Sequence, residues 1–379
     1  MRWCDREPVI SVGLLTAPRI ASRELPDGTF EIDDVAIGIG FHWERRERQR
    51  FAGRLRVIRD GGNEVAINDI PLEKYLESVI SSEMNANASE PLLKAHAVIS
   101  RSWLLANIRK EEDARRIIRG TPRPYGQGAE IIRWYDREDH RLFDVCADDH
   151  CQRYQGLTRQ TNPAAARAVA ETRGEVLAYG GAICDTRFSK CCGGRTELFE
   201  NCWEPVAHPY LTSVADNGGA DGEPDFCDTA DGEVLRQVLN SYDRETPDFY
   251  RWEVSYTPAE LSELLRRKTG IDFGTVEALE AVERGPSGRV VRLRVAGSKR
   301  SAVIGKELEI RRALSDSHLY SSAFEASMEN GRWVLRGRGW GHGVGLCQIG
   351  AAVMGAKGYD YRQILAHYFP NATLEKIYE

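Results

Sequence analysis

Glu83 closes an apolar stripe. In INDIPLEKYLESVISSEM, residues Leu72, Tyr75, Leu76, Val79, Ile80 and Glu83 fall at offsets 0, 3, 4, 7, 8 and 11, one face of a single helix. A carboxyl group against such a face loses hydration in its charged form. That raises its pKa and lets it hold a proton near neutral pH, as a general acid must. The competing reading swings Glu83 into solvent in the last turn. In the next stretch, SEPLLKAHAVISRSWLLANI, Arg101 is surrounded by apolar residues and needs a carboxylate partner or an anionic ligand. Glu83 is one such partner, although pairing would lower its pKa and count against it as the acid. His96, between Ala95 and Ala97, reads as a packed core histidine rather than a ligand.

A second group is metal-like. His140, Cys146, His150 and Cys151 form H-x5-C-x3-H-C, four ligand-type side chains inside HRLFDVCADDHC. Imidazole and thiolate suit zinc, and four protein ligands would close a structural tetrahedral site. Asp144, Asp148 and Asp149 are available to orient those ligands. The alternative is reduced surface cysteines beside two ordinary histidines and a solvated acidic loop. Farther on, SKCCGGRTE places Cys191 and Cys192 before two glycines, at the end of an expected strand. Adjacent cysteines do not pair with each other, so a long-range disulfide, a metal role and plain burial all remain open. In GRGWGHGVGLCQIGA, five glycines alternate from Gly337 to Gly345 around Trp340 and His342, and Gln348 follows. No G-x-G-x-x-G register appears, so a dinucleotide site is excluded. The entropy cost of such a run implies tight packing or close ligand approach.

The elements that must position these groups are legible in outline. Residues 8–67 read as strands and turns: VISVGLL, Val35 to Trp43, FAGRLRVIRD and EVAIND, separated by Pro-Asp-Gly and Gly-Gly-Asn. Two helices follow, the second with Ser89 as N-cap and Pro91 in its first turn. A charged helical segment then runs to Arg119 and a loop spans TPRPYGQG. Asn162 and Pro163 open AAARAVAET, which Gly174 caps. EVLAY and AICDTRF flank a Gly180-Gly181 hairpin turn. Beyond the acidic, glycine-rich 216–233 stretch come a strand RWEVSYT, a helix PAELSELLRRK, and alternating strands RVVRLRVAG and SAVIGKELEI. The fold class is α+β, with a mixed core holding a buried helix pair and β-hairpins, plus a β-rich inserted lobe. The divisions fall at 1–68 (β-rich strands), 69–215 (core with the zinc segment), 216–335 (inserted lobe) and 336–379 (glycine-rich loop and helices returning to the core).

The chain has 379 residues, more than one compact core supports, in keeping with such an insertion. Its 42% hydrophobic and 28% charged content is that of a globular protein. A net charge of −6 and basic clusters broken by other residues disfavour nucleic acid as a partner. No apolar run approaches the roughly eighteen residues of a membrane span. The N-terminus is interrupted by Asp5, Arg6 and Glu7 and is not a signal peptide as written. Nine cysteines, unevenly spread, are too sparse for a disulfide scaffold.

Several of these motifs together resemble the stage II sporulation protein D (SpoIID) and LytB family. IPLEKYLESVISSEM with LLKAHAVISRSWLL is similar to its paired helices. RGEVLAYGGAICDTRFSKCCGGRTE, ENCWE and PYLTSV resemble its middle block, GRVVRLRVAG with EIRRALS its inserted lobe, and GWGHGVGLCQIGA with YRQIL-x-HYFP its closing block. The resemblance covers residues 67–378. It implies a lytic transglycosylase, a lyase that acts on peptidoglycan glycan strands, particularly peptide-stripped ones, and leaves 1,6-anhydromuramic acid ends. Its essential glutamate falls on Glu83 and its arginine on Arg101, and its zinc ligands fall on His140, Cys146, His150 and Cys151. His342 and Gln348 are then expected at sugar hydroxyls. The family's His-Ser-Thr-Ser run is Ser189, Lys190, Cys191, Cys192 here, so Ser189 or Lys190 would replace the histidine's contact, and His96 stands for a common glutamine. The implied location is the cell envelope, unless glycan fragments are handled inside the cell. The runner-up is a non-catalytic glycan-binding enhancer of a cell-wall amidase. A third reading, a zinc hydrolase, is disfavoured because four protein ligands leave no position for water.

Overall fold

The computed structural model describes residues 6–39, 44–85, 87–114, 130–134, 140–148, 150–160, 162–219, 222–239 and 249–379. The expected TPRPYGQG loop and Asp149 lie outside them. Among the described residues are eight α-helices and nineteen strands in several small open sheets, an α+β fold.

The chain opens with β1 (Val9–Ala17), β2 (Ser22–Glu24), β3 (Phe30–Ile37), β4 (Arg45–Phe51), β5 (Arg54–Asp60) and β6 (Asn63–Pro71). The strand expected at Val35–Trp43 is set earlier, as β3. Its core face comes from Phe30, Ile32, Val35 and Ile37, and a bulge follows Ile32, so alternation alone misplaces its start. β6 feeds directly into α1 (Leu72–Glu83), and α2 (Glu90–Ala114) follows. Leu72, Tyr75, Leu76, Val79 and Ile80 are fully buried, as the stripe requires. Ser89 precedes α2 and its carbonyl accepts the first helical bond from Leu93, but its hydroxyl is buried without a partner rather than capping.

Next come β7 (Glu130–Ile132), β8 (Val145–Cys146), α3 (Ala164–Glu171), β9 (Glu175–Tyr179), β10 (Ala182–Ile183) and β11 (Phe188–Ser189). Asn162 accepts from the Ala164 N–H at the start of α3. Gly180 and Gly181 both take positive φ in the β9–β10 turn, as expected for a two-residue hairpin. AICDTRF is not one strand: Ala182–Ile183 pairs with β9, whereas Phe188–Ser189 leaves to pair elsewhere.

The inserted region holds α4 (Gly232–Val238), β12 (Arg251–Tyr256), α5 (Pro258–Thr269), β13 (Val276–Arg284), β14 (Val290–Gly297), β15 (Ser301–Gly305), α6 (Glu307–Ala313), β16 (Phe324–Glu329) and β17 (Arg332–Arg338). The strand expected over SAVIGKELEI ends at Gly305. ELEI is instead the first turn of α6, with Glu307 and Glu309 at the end of the helix that favours acids and Ile310 in the core. The chain closes with β18 (Leu346–Cys347), α7 (Gln348–Ala356), α8 (Tyr361–Tyr368) and β19 (Thr373–Lys376).

Sheet order is β5-β6-β1-β8 under α1, β2-β3-β4 beside it, β10-β9-β19 and β11-β18 around α2, and β12-β17-β16 and β13-β14-β15 in the insertion, the latter extended at β15 by β7 from the core segment. Two apolar clusters result. The larger is built from both chain ends inward and contains α1, α2 and α7, while the smaller draws wholly on residues between Trp252 and Leu335.

Candidate functional site

Glu83 is the last residue of α1, half-buried, and the helix stops there because Met84 turns to an extended conformation. Two segments hold this end. Asn85 donates its N–H to the Gln237 carbonyl at the end of α4. Residues 152–155 run across the last turns of α1: Tyr75 OH donates to Gln152 Oε1, Arg153 N–H to Glu83 Oε1 at 3.0 Å, and Gln155 N–H to Ser82 Oγ.

That crossing segment leaves directly from the His/Cys group. β8 pairs in parallel with β1, and Asp144 accepts from both the N–H and the hydroxyl of Ser11, anchoring the loop's near side. A side chain at Gly13 would run into the Phe143 ring, 2.4 Å from its Cβ, so the close approach needs glycine. His140, Cys146, His150 and Cys151 then bring one ligand atom each within 4.8 Å of all the others. His140 Nε2 is 3.4 Å from Cys151 Sγ, and His150 Nδ1 is 3.5 Å from Cys151 Sγ and 3.8 Å from Cys146 Sγ. Around a tetrahedral zinc with Zn–S of about 2.3 Å and Zn–N of about 2.0 Å, N···S separations come to about 3.5 Å, so the donor set fits. Hydrogen bonding from Cys151, then from His140 and His150, holds the Cys146 thiol far below its ordinary range. Of the expected supporting acids, Asp144 accepts from Ser11, and the Asp148 carbonyl accepts from Cys146 Sγ.

Arg101 is not at Glu83. It is fully buried, and its Nε and Nη2 bind both carboxylate oxygens of Glu73 at 3.0 and 2.6 Å, while Nη1 donates to the Glu175 carbonyl. Glu73 also accepts from Tyr378 OH and from the Gly174 N–H. Buried and paired in this way, the guanidinium ties α1 to α2 rather than lying beside Glu83. Glu73 was missed because it sits in the first turn of α1, off the apolar stripe.

His342, half-buried, and Gln348, buried, both have partners within the protein. His342 Nδ1 accepts from Val344 N–H, the ring has a backbone hydrogen bond with Phe188, and its edge faces Trp203. Burial drives its pKa well down, so it is neutral. Gln348, 2% exposed, contacts His96 Nε2 at 3.2 Å. His96 is the core histidine expected: fully buried, its Nδ1 at Ser100 Oγ and its ring against Phe188, with burial taking its pKa down to about 3. Ser189 is buried in β11, its hydroxyl without a protein partner, and Lys190 donates to the Val238 carbonyl beside the same end of α4 that meets Asn85.

The glycine run is explained by packing. Gly339, Gly341, Gly343 and Gly345 all have positive φ. A Cβ at Gly343 would meet the Arg289 guanidinium at 2.4 Å, and one at Gly345 the Arg187 carbonyl at 2.1 Å. A cavity of about 690 Å³ lies in the insertion, lined by Trp252, Phe324, Arg284 and Arg336 among others, and Gly337 of the glycine run borders it, whereas Glu83 and the His/Cys group do not. All eight described cysteines are free thiols. No helix among the described residues is long and apolar enough to cross a membrane.

Residues 60–179 match the family model described as Stage II sporulation protein, and residues 197–345 match a domain of unknown function, DUF8618. The chain is similar to Stage II sporulation protein D of Bacillus subtilis (strain 168), 24% identical over 313 residues, covering 82% of this chain and 76% of that protein. It is similar to the Amidase enhancer of the same organism, 23% identical over 326 residues, covering 79% of this chain and 40% of that protein. An uncharacterized protein of Brachyspira hyodysenteriae is 26% identical over 321 residues, covering 84% and 70% of the two chains.

Proposed function

We propose that this chain, similar to stage II sporulation protein D and to an amidase enhancer and so related to cell-wall processing, is a lytic transglycosylase of peptidoglycan glycan strands with Glu83 as its acid. The observation that carries this reading is the setting of Glu83: a half-buried carboxyl at the carbonyl end of α1, with one oxygen held by the Arg153 N–H. The helix's negative end disfavours a second negative charge there.

One acid suffices for this reaction. Hydrolysis needs a second carboxyl group to activate water or form a covalent intermediate. In transglycosylation the muramic acid's own 6-hydroxyl attacks C1, already tethered to the reacting ring. Glu83 gives its proton to the glycosidic oxygen as the C1–O bond breaks, then takes the proton of the 6-hydroxyl as O6–C1 forms. Ser189 and Lys190 remain the side chains proposed to meet the glycan. Zinc held by His140, Cys146, His150 and Cys151 would be structural, fixing the segment that presents Arg153 to Glu83. The substrate places the protein in the cell envelope.

The test is mass spectrometry of soluble products from intact and peptide-stripped glycan strands. With wild type, the products are expected to be one water lighter than hydrolysed ends, with Glu83→Gln at least about 100-fold slower. Reducing ends of ordinary mass would refute transglycosylation. Glycan binding without any release would leave the chain as a non-catalytic relative of the amidase enhancer.

A further inference from the structure

Apart from the His/Cys group, a second set of ligand-type side chains converges in the core. Cys192, Asp216, Cys227 and Cys347 are all buried, at 1% exposure or less, and their ligand atoms lie within 4.8 Å of one another. They come from three separate parts of the chain: the end of the middle block, the acidic glycine-rich stretch, and the N-cap of α7. The sulfurs of Cys192 and Cys227 are 3.6 Å apart. That is far from the roughly 2.05 Å of a disulfide and close to the roughly 3.8 Å between sulfurs on a tetrahedral zinc.

The surroundings are those of a bound cation. Asp216 accepts from two neutral donors, Tyr368 OH on Oδ1 at 2.8 Å and Cys227 N–H on Oδ2 at 2.6 Å, which orient the carboxylate without neutralising it. Cys347 Sγ accepts from the Cys192 and Gly350 N–H groups at 3.2 and 3.4 Å, the pattern that steadies a thiolate rather than a thiol. A buried carboxylate facing sulfurs in this way is costly unless a positive charge offsets it. The geometry points to a structural site for a thiophilic divalent cation of the zinc class, held by Cys192, Cys227, Cys347 and Asp216. With four protein ligands it is closed. It staples the 216–227 stretch and the start of α7 to the middle block.

The experiment is metal analysis of the full-length protein purified with zinc, and of Cys146→Ser/Cys151→Ser, which removes only the other group. That variant is expected to retain about one molar equivalent of zinc, lost when Cys227→Ser is added, and cobalt(II) in its place should show thiolate charge-transfer absorption. A variant that folds but holds no zinc, or a native protein two mass units light through a Cys192–Cys227 disulfide, would overturn the site. If the variant does not fold, alkylation of the native protein decides. Chelation should speed labelling of Cys192, Cys227 and Cys347 at least about tenfold more than that of the buried Cys184 and Cys202. Equal acceleration of all five would sink the proposal.

Discussion

At the scale of single residues, Arg101 and Glu73 form the pair on which the helix core depends. The guanidinium is fully buried and the carboxylate nearly so, and each has several partners: Glu73 has Arg101, Tyr378 and Gly174, Arg101 has Glu73 and the Glu175 carbonyl. Removing one partner strands the other charge in the core. Arg101→Met is therefore expected to lose about 3–5 kcal/mol in denaturant unfolding, and adding Glu73→Leu should recover part of that loss. An Arg101→Met protein of native stability, inactive only through weakened glycan binding, would return Arg101 to the substrate. The sequence made the need for a counter-anion plain, because an arginine amid Val98, Ile99 and Leu104 has no other way to be stable. It did not point to Glu73, since which carboxylate of α1 meets Arg101 depends on how α1 crosses α2, and no local pattern encodes that.

Between elements, one polar thread runs through the apolar core. Tyr75 on α1 donates to Gln152, Gln152 to the Ser100 carbonyl, and the Ser100 hydroxyl meets His96, whose other nitrogen faces Gln348 at the start of α7. This thread works with a neutral imidazole. Because the folded pKa of His96 lies near 3, below an unfolded value near 6.5, the unfolded state binds the extra proton first. Stability is full above about pH 6.5 and falls steadily as pH drops toward 3, by about 2 kcal/mol between pH 7 and pH 5 from this group. His96→Gln keeps a polar group at both ends without titrating, so unfolding curves at pH 7 and pH 5 should converge for that variant. The same acid loss in both proteins would assign the effect elsewhere. His96 was legible as a core residue from its alanine neighbours. Gln348, 252 positions away, was not legible as its partner, because no local pattern encodes a contact between α2 and α7.

Across the whole molecule, the insertion has its own apolar cluster, yet Arg289 ties it to the glycine run. Arg289 is 1% exposed and donates to the Gly341 and Cys192 carbonyls and to Ser287 Oγ. The alternating glycines announced a close approach; the approaching group stands about fifty residues upstream, just before β14, where the sequence looks ordinary, so only the fold reveals it. Gly343 and Arg289 should therefore fail in the same way. Gly343→Ala puts a methyl group against the guanidinium and forces an L side chain to positive φ, and Arg289→Met leaves two buried carbonyls without donors. Each is expected to cost about 2–4 kcal/mol, with hydrogen exchange quickening first at residues 190–194 and 338–345, while the cluster between Trp252 and Leu335 stays protected. The double variant should cost well under the sum of the two, because both changes dismantle one contact. Full additivity, or exchange that quickens first inside the insertion's own cluster, would mean that Arg289 stabilises the lobe itself rather than its seat on the core.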